Sequence, residues 1–139
     1  MGDRCHLELW VRVEDVEKFT DIVYGVDVAP DNKTDQYAYF TDDQANMGLI
    51  PECLAAAKQG LRFFGRHTGG ESYGWYAFYS EDGWLQDFQT GYDFEGVVIN
   101  PSVDGDVSAD EFPEELKRYR IWSKMYEKYV EDVTWPVMT

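Results

Sequence analysis

The sequence is poor in the residues and motifs that usually mark a reactive site. Its two cysteines, Cys5 and Cys53, are far apart and belong to no CxxC or Cys/His spacing of a metal site. It contains no P-loop and no GxGxxG, GxSxG or HExxH motif. These absences argue against a disulfide framework, a zinc site, and the nucleotide-binding and hydrolase classes that those motifs define.

Long apolar runs are also missing. No run approaches the roughly 20 residues that cross a bilayer as a helix, and the N-terminus MGDRCHLELW lacks the basic and apolar regions of a signal peptide. We therefore predict a cytoplasmic protein. Its 139 residues predict a single domain, residues 1–139, that is large enough to fold without a metal or a disulfide. We expect no cofactor.

Basic residues are scarce. The chain has 12 Lys and Arg against 27 Asp and Glu, a formal net charge of -15, and the whole excess lies before residue 113. Such a field repels phosphate backbones and anionic lipids, so we expect direct binding neither to nucleic acid nor to a membrane. It attracts basic surfaces, and the commonest large ones belong to nucleic-acid-binding proteins. A role in solubility alone explains the same acidity.

Hydrophobic residues make up 44% of the chain and aromatic residues 17%, which predicts a globular protein rather than an acidic tail. Apolar and polar residues alternate over 4–13, which predicts a strand with one face towards solvent. Helical spacing begins at Glu14, and a second short helix is predicted from Pro51 to Gly60. The other predicted strands are 36–41, 61–68, 72–80, 84–88 and 94–100.

The predicted C-terminal helix, 113–133, has one apolar stripe with residues three or four positions apart. The stripe consists of Leu116, Tyr119, Trp122, Tyr126, Tyr129 and Val133. Because such a stripe must be buried, we expect the helix to pack across the sheet. The predicted fold class is α+β: a mostly antiparallel sheet packed against this long helix and one or two shorter helices.

The stretch NPSVDGDVSADE, residues 100–111, has two interpretations. Its spacing resembles that of a calcium-binding loop, with the candidate ligands Asn100, Ser102, Asp104, Asp106 and Glu111. However, the preceding FEGVVIN reads as a strand, whereas a paired calcium loop follows a helix. The favoured interpretation of the same residues is a turn at 104–106, followed by a helix N-terminus with a capping box of Ser108 and Glu111.

Two stretches interleave acids with aromatic residues, residues 79–96 and residues 29–44. Exposed Tyr and Trp provide contact area, and adjacent carboxylates select a basic partner. The candidate partner-binding residues are Asp31, Asp35, Asp42, Asp43, Glu81, Asp82, Trp84, Asp87, Tyr92, Asp93 and Glu95. The alternative is that the aromatic residues face the core and the acids only solvate the turns.

Three functions remain open. The first is a non-enzymatic inhibitor or adaptor that binds a basic protein. In its small size, acidity and lack of motifs, the chain resembles the anti-defence inhibitors of phages, including anti-CRISPR and DNA-mimic proteins, and the resemblance carries over no residue. The second is a small-ligand module with a pocket of Trp75, Tyr76, Phe78 and Trp84. The third is an enzyme, for which His67, predicted at a solvated hairpin tip, is the candidate histidine.

Overall fold

The computed structural model of the protein describes residues 4–23, 30–46, 50–69, 74–98 and 111–137. Its strands are β1 (Arg4–Arg12), β2 (Asn32–Lys33), β3 (Tyr37–Asn46), β4 (Phe63–His67), β5 (Trp75–Glu81) and β6 (Trp84–Thr90). Its helices are α1 (Val16–Ile22), α2 (Ile50–Lys58) and α3 (Glu111–Tyr126). A 3₁₀ turn, Val13–Asp15, leads into α1.

The six strands form one sheet in the order β2-β3-β1-β4-β5-β6. Every pairing in it is antiparallel. The α+β prediction, with a mostly antiparallel sheet and a long C-terminal helix packed on it, is therefore confirmed. β1 lies in the middle because it pairs with both β3 and β4.

Both faces of the sheet are covered. One face packs against α1 and α2, and its buried side chains include Leu7, Leu9, Val11, Phe19, Phe40, Cys53, Phe63 and Phe78. The other face packs against α3, and its buried side chains are Trp10, Tyr37, Phe64, Ala77, Tyr79, Phe88 and Trp122. The predicted stripe of the C-terminal helix is thus confirmed at Tyr119, Trp122 and Tyr126 of α3 and at Tyr129 just after it, which belong to this second core.

The predicted solvent face of β1 is wrong. Trp10 is only 2% exposed, and it stacks on Phe64 with ring centroids 5.2 Å apart. Alternation along a strand indicates two different faces, but it does not say whether a helix covers the more polar one. Here α3 covers it.

The predicted strand at 94–100 is also wrong over the residues that the structure describes. Tyr92–Phe94 form a 3₁₀ turn, and residues 95–98 are not part of a strand. Residues 99–110 lie outside the described residues, and so do four of the five calcium candidates and Ser108. The fifth, Glu111, is the first residue of α3.

After Tyr126 the helix continues as a π turn, Glu127–Glu131. Its wider hydrogen bond joins Asp132 N to Glu127 O, five residues back, at 2.8 Å.

None of the described helices is both long and apolar enough to cross a bilayer. Within the described ranges, no three His, Cys, Asp or Glu side chains converge as metal ligands.

Candidate functional site

The two predicted partner-binding stretches lie at opposite edges of the sheet. Residues 31–43 belong to the β2 and β3 edge, whereas residues 81–95 run along β6 and the turn after it. From β3 to β6 is four strand spacings, roughly 19 Å. The structure therefore separates the candidates into two surfaces.

At the β3 edge, the candidate carboxylates Asp31 and Asp43 both bind within the chain. Asp31 accepts hydrogen bonds from Thr41 N at 2.7 Å and from Thr41 Oγ1 at 3.0 Å. This side chain therefore caps a backbone group at the edge of the sheet. Asp43 pairs with His6 Nδ1. Asp42 is half-buried on the same strand, and Asp35 is exposed in the turn before it.

At the β6 edge, all seven candidates are exposed. We call this surface the acidic edge: Glu81, Asp82, Trp84, Asp87, Tyr92, Asp93 and Glu95. Its two aromatic residues stand out, because Trp84 is 68% exposed and Tyr92 is 80% exposed. Tyr and Trp are enriched at interfaces because each joins an apolar ring to a polar group, so these two exposed side chains are candidate contacts.

Four of the described arginines, Arg12, Arg62, Arg66 and Arg118, form ion pairs with carboxylates outside the acidic edge. Arg62 binds Asp15 at 3.0 Å, and Arg118 binds Glu115 at 3.6 Å. Among the residues that the structure describes, no Lys or Arg nitrogen lies within 4.0 Å of a carboxylate of the acidic edge. Within the described ranges, the carboxylates of this edge therefore form no ion pair, and Arg118 Nη1 reaches only the backbone carbonyl of Asp87, at 3.3 Å.

The β5–β6 hairpin turn presents Trp84. Glu81 pairs with Trp84 across a two-residue loop, in which Asp82 and Gly83 have φ values of 51° and 84°. Two consecutive left-handed residues are the geometry of a type I′ turn, for which Asp-Gly is a preferred pair. The sequence therefore encodes this tip locally.

The turn after β6 has a less common backbone. Asp93 and Phe94 both adopt left-handed φ values, 59° and 61°, although neither is glycine. Phe94 N donates to Gly91 O and Gly91 N donates to Glu95 O, each at 3.1 Å. Left-handed conformations of bulky residues store strain and are concentrated at functional sites.

A cleft of about 350 Å³ lies between this turn and α3. We call it the aromatic cleft. Phe94, Tyr119, Trp122 and Tyr126 supply its aromatic walls, and the exposed carboxylates of Asp93, Glu127 and Glu131 line its mouth. The arginine side chain of Arg66 also lines it.

The guanidinium of Arg66 lies over two of these rings, 4.3 Å from the centroid of Phe94 and 4.9 Å from that of Tyr126. Its Nε donates to Glu8 at 2.6 Å, and the two side chains are 20% and 15% exposed. Tyr39 also donates to Glu8, at 2.6 Å. Burial and this hydrogen bond to Glu8 raise the pKa of Tyr39, so its hydroxyl stays protonated.

Because Glu8 neutralises Arg66, the three carboxylates at the mouth leave the aromatic cleft with a net negative charge. Glu127 and Glu131 both stand on the π turn. Residues four apart lie on the same side of a helix, so these two glutamates are neighbours on its surface. Turns of the π type are frequent at functional sites. Two uncommon backbone segments thus supply all three carboxylates.

A larger cleft, about 450 Å³, lies at the other edge between the β2–β3 turn and the C-terminal segment. Lys33 and Lys128 line it together with Asp35. The C-terminal wall of this cleft is held by Asn32, whose Nδ2 donates to Pro136 O at 2.9 Å. The charge of the cleft is opposite to that of the aromatic cleft, so a basic partner would not favour it.

His67 is not at a solvated hairpin tip. It is the last residue of β4, is buried, and stacks on Tyr76 with ring centroids 5.6 Å apart. Its Nδ1 donates to Thr68 O at 2.9 Å. Burial lowers the pKa of His67, so the ring is neutral at pH 7.

Burial also raises the pKa of the Cys53 thiol, which makes it a poor nucleophile.

The four aromatic residues predicted to form one ligand pocket are divided by the sheet. Trp75 packs against Tyr92 and Phe94, each with centroids 4.9 Å apart. Phe78 lies in the core beneath α1 and α2, and Trp84 lies at the hairpin tip. Neighbouring residues on β5 point to opposite faces, so these side chains do not share a pocket.

Replacing Asp93 with glycine is expected to raise the free energy of unfolding by about 1 kcal/mol, because glycine adopts a left-handed φ without strain. Urea denaturation measures the change. Replacing Glu95 with glycine is the matched control. Its φ is -88°, so added chain entropy should lower stability by roughly 0.5 kcal/mol. A loss of stability at Asp93 as large as at Glu95 would show that Asp93 is unstrained.

Sequence reasoning found Asp93 but not Arg66, Glu127 or Glu131. The sequence signal for the two glutamates was their spacing of four residues, which places them on one side of a helix. That spacing is common on exposed helices, so it does not indicate a site. Arg66 lies 58 residues from its partner Glu8, so no local pattern connects them.

The aromatic cleft and the acidic edge together are the candidate site. It combines exposed carboxylates that form no ion pair with a described Lys or Arg and aromatic walls that already contact one guanidinium. No protein-family model, no curated protein and no solved structure matches this chain.

Proposed function

We propose that the protein is a non-enzymatic binding protein of the cytoplasm. It uses the acidic edge to bind a basic surface of a nucleic-acid-binding protein, as an inhibitor or an adaptor. One observation carries the proposal: the exposed Trp84 and Tyr92 lie near the two ends of β6, and five exposed carboxylates lie on the β5–β6 hairpin and on the turn after β6. Aromatic residues are enriched at interfaces, and charges of one sign beside them select an oppositely charged partner.

The dimensions of the acidic edge support a competitive mode of inhibition. β6 has seven residues, so at about 3.3 Å per residue it extends for roughly 23 Å. A basic channel that accommodates nucleic acid presents cations over such lengths to neutralise phosphates. Asp87 on β6 and the carboxylates at the two ends of this strand would occupy part of that channel and exclude nucleic acid without any chemical step.

The proposal is tested with the full chain as bait in an affinity purification, followed by binding measurements with the purified partner. We expect a nucleic-acid-binding partner, an affinity that falls steeply as salt rises, and displacement by duplex DNA or by RNA. Binding that does not depend on salt, or that does not compete with nucleic acid, would contradict the proposal.

A paired substitution locates the contact. Replacing Glu81 with Gln and Asp82 with Asn together should weaken partner binding about tenfold, because each removes a charge that faces a cation. The matched control replaces Glu17 with Gln and Asp21 with Asn. Both are exposed on α1, on the opposite face of the sheet from α3. Equal losses in the two double variants would show that only net charge matters and would overturn the assignment to the acidic edge.

A further inference from the structure

The aromatic cleft adjoins the acidic edge through Asp93, which belongs to both. Its volume, about 350 Å³, is near the lower end of pockets that hold small molecules, roughly 300–1,000 Å³. That space accommodates one long side chain rather than a folded segment. The cleft therefore calls for an occupant that is small, cationic and compatible with aromatic walls.

We propose that the aromatic cleft holds an arginine side chain of the basic partner, with its guanidinium between the carboxylates of Asp93, Glu127 and Glu131. The inference rests on the proposed function and specifies its chemistry. Charge complementarity selects a cation, because Glu8 already neutralises the only arginine that lines the cleft within the described chain.

Arginine fits this cleft better than lysine for three reasons. Its guanidinium is planar, stacks on aromatic rings, and is less strongly hydrated than an ammonium group. It also carries five N–H donors, enough to bind three separate carboxylates. The walls demonstrate this compatibility themselves, since Phe94 and Tyr126 flank the guanidinium of Arg66 at 4.3 Å and 4.9 Å.

The three carboxylates lie on uncommon backbone segments and outside the core. Asp93 itself has a left-handed backbone conformation, and the two glutamates belong to a π turn. The core packing of α3 requires neither glutamate, because both side chains are exposed.

Calorimetry on the full chain tests the inference with two short Gly/Ser peptides of equal charge, one carrying arginines and the other lysines at the same positions. We expect the arginine peptide to bind about tenfold more tightly. Replacing Glu131 with Gln should weaken the arginine peptide about fivefold, in line with one partly exposed charge pair. The matched control replaces Asp132 with Asn. Asp132 is the next residue, is exposed, and does not line the cleft, so its effect should be under twofold.

The outcomes separate the two proposals. The arginine site is overturned if both peptides bind with equal, salt-sensitive affinity and if the Glu131 and Asp132 variants lose the same amount of affinity. The acidic binding function stands in that case. If neither peptide binds even at low salt, the arginine site is overturned, whereas the binding function is decided by the affinity purification and the salt dependence of partner binding. Selective arginine binding that is lost only in the Glu131 variant supports the inference.

Discussion

Replacing Trp122 with alanine should lower the free energy of unfolding by about 4 kcal/mol, one of the two largest effects that we expect in this protein. Trp122 is 5% exposed and stacks on Tyr126 with ring centroids 5.1 Å apart. Its Nε1 donates to Gly65 O at 3.0 Å in the buried interior. The substitution removes a large apolar side chain and leaves this backbone carbonyl without its donor. Urea denaturation measures the loss.

Two control variants separate the contributions. Replacing Trp122 with phenylalanine keeps most of the buried area and removes the donor, so it should cost roughly 1–2 kcal/mol. Replacing the exposed Trp84 with alanine should change stability by less than about 0.5 kcal/mol. Equal losses at positions 84 and 122 would contradict the packing of α3 on the sheet. Because α3 and its π turn form one wall of the aromatic cleft, we also expect Trp122→Ala to weaken partner binding.

Replacing Gly65 with alanine should lower the free energy of unfolding by about 3 kcal/mol. A Cβ at this position would lie 2.5 Å from Glu8 O and 2.8 Å from Phe78 Cζ. Glu8 O is a backbone atom of β1, which pairs with β4 through Leu9 and Gly65. Relief of the clash would therefore require separation of two central strands. Thermal and urea denaturation give the magnitude.

Gly74 provides the matched control for this clash. A Cβ there would also meet an atom at 2.6 Å, but that atom is Nε2 at the end of the Gln89 side chain. Such a side chain rotates away at small cost, so Gly74→Ala should lose less than about 1 kcal/mol. If Gly65→Ala were tolerated equally well, β1 and β4 would not be as closely paired as the structure has them.

The order of the elements was largely predictable because it depends on local periodicity. Alternation marked β1, and the apolar stripe of α3 marked the helix that covers the sheet. The turn formers Asp82 and Gly83 lie where the last two strands meet. Predictions failed where a neighbour distant in sequence decided the outcome. The polar face of β1 is buried by α3, more than 100 residues later in the chain, and His67 is buried rather than solvated.

The candidate site was predicted only in part. The acidic edge follows from composition, because acids interleaved with aromatic residues in 79–96 were visible as a pattern. The aromatic cleft was not predictable. Its left-handed Phe94 has no glycine to signal it, and its Arg66 meets Glu8 and Tyr126 only after the chain has folded.

The sequence by itself determined that this protein is strongly acidic, that it combines strands with a long amphipathic helix, and that its acids lie among aromatic residues. Charge and hydrophobic periodicity are properties of neighbouring residues, so they can be read along the chain. Only the tertiary structure decided which carboxylates keep their charge facing solvent and which bind an arginine. That choice depends on strand order and on helix packing, which bring together residues that are far apart in sequence.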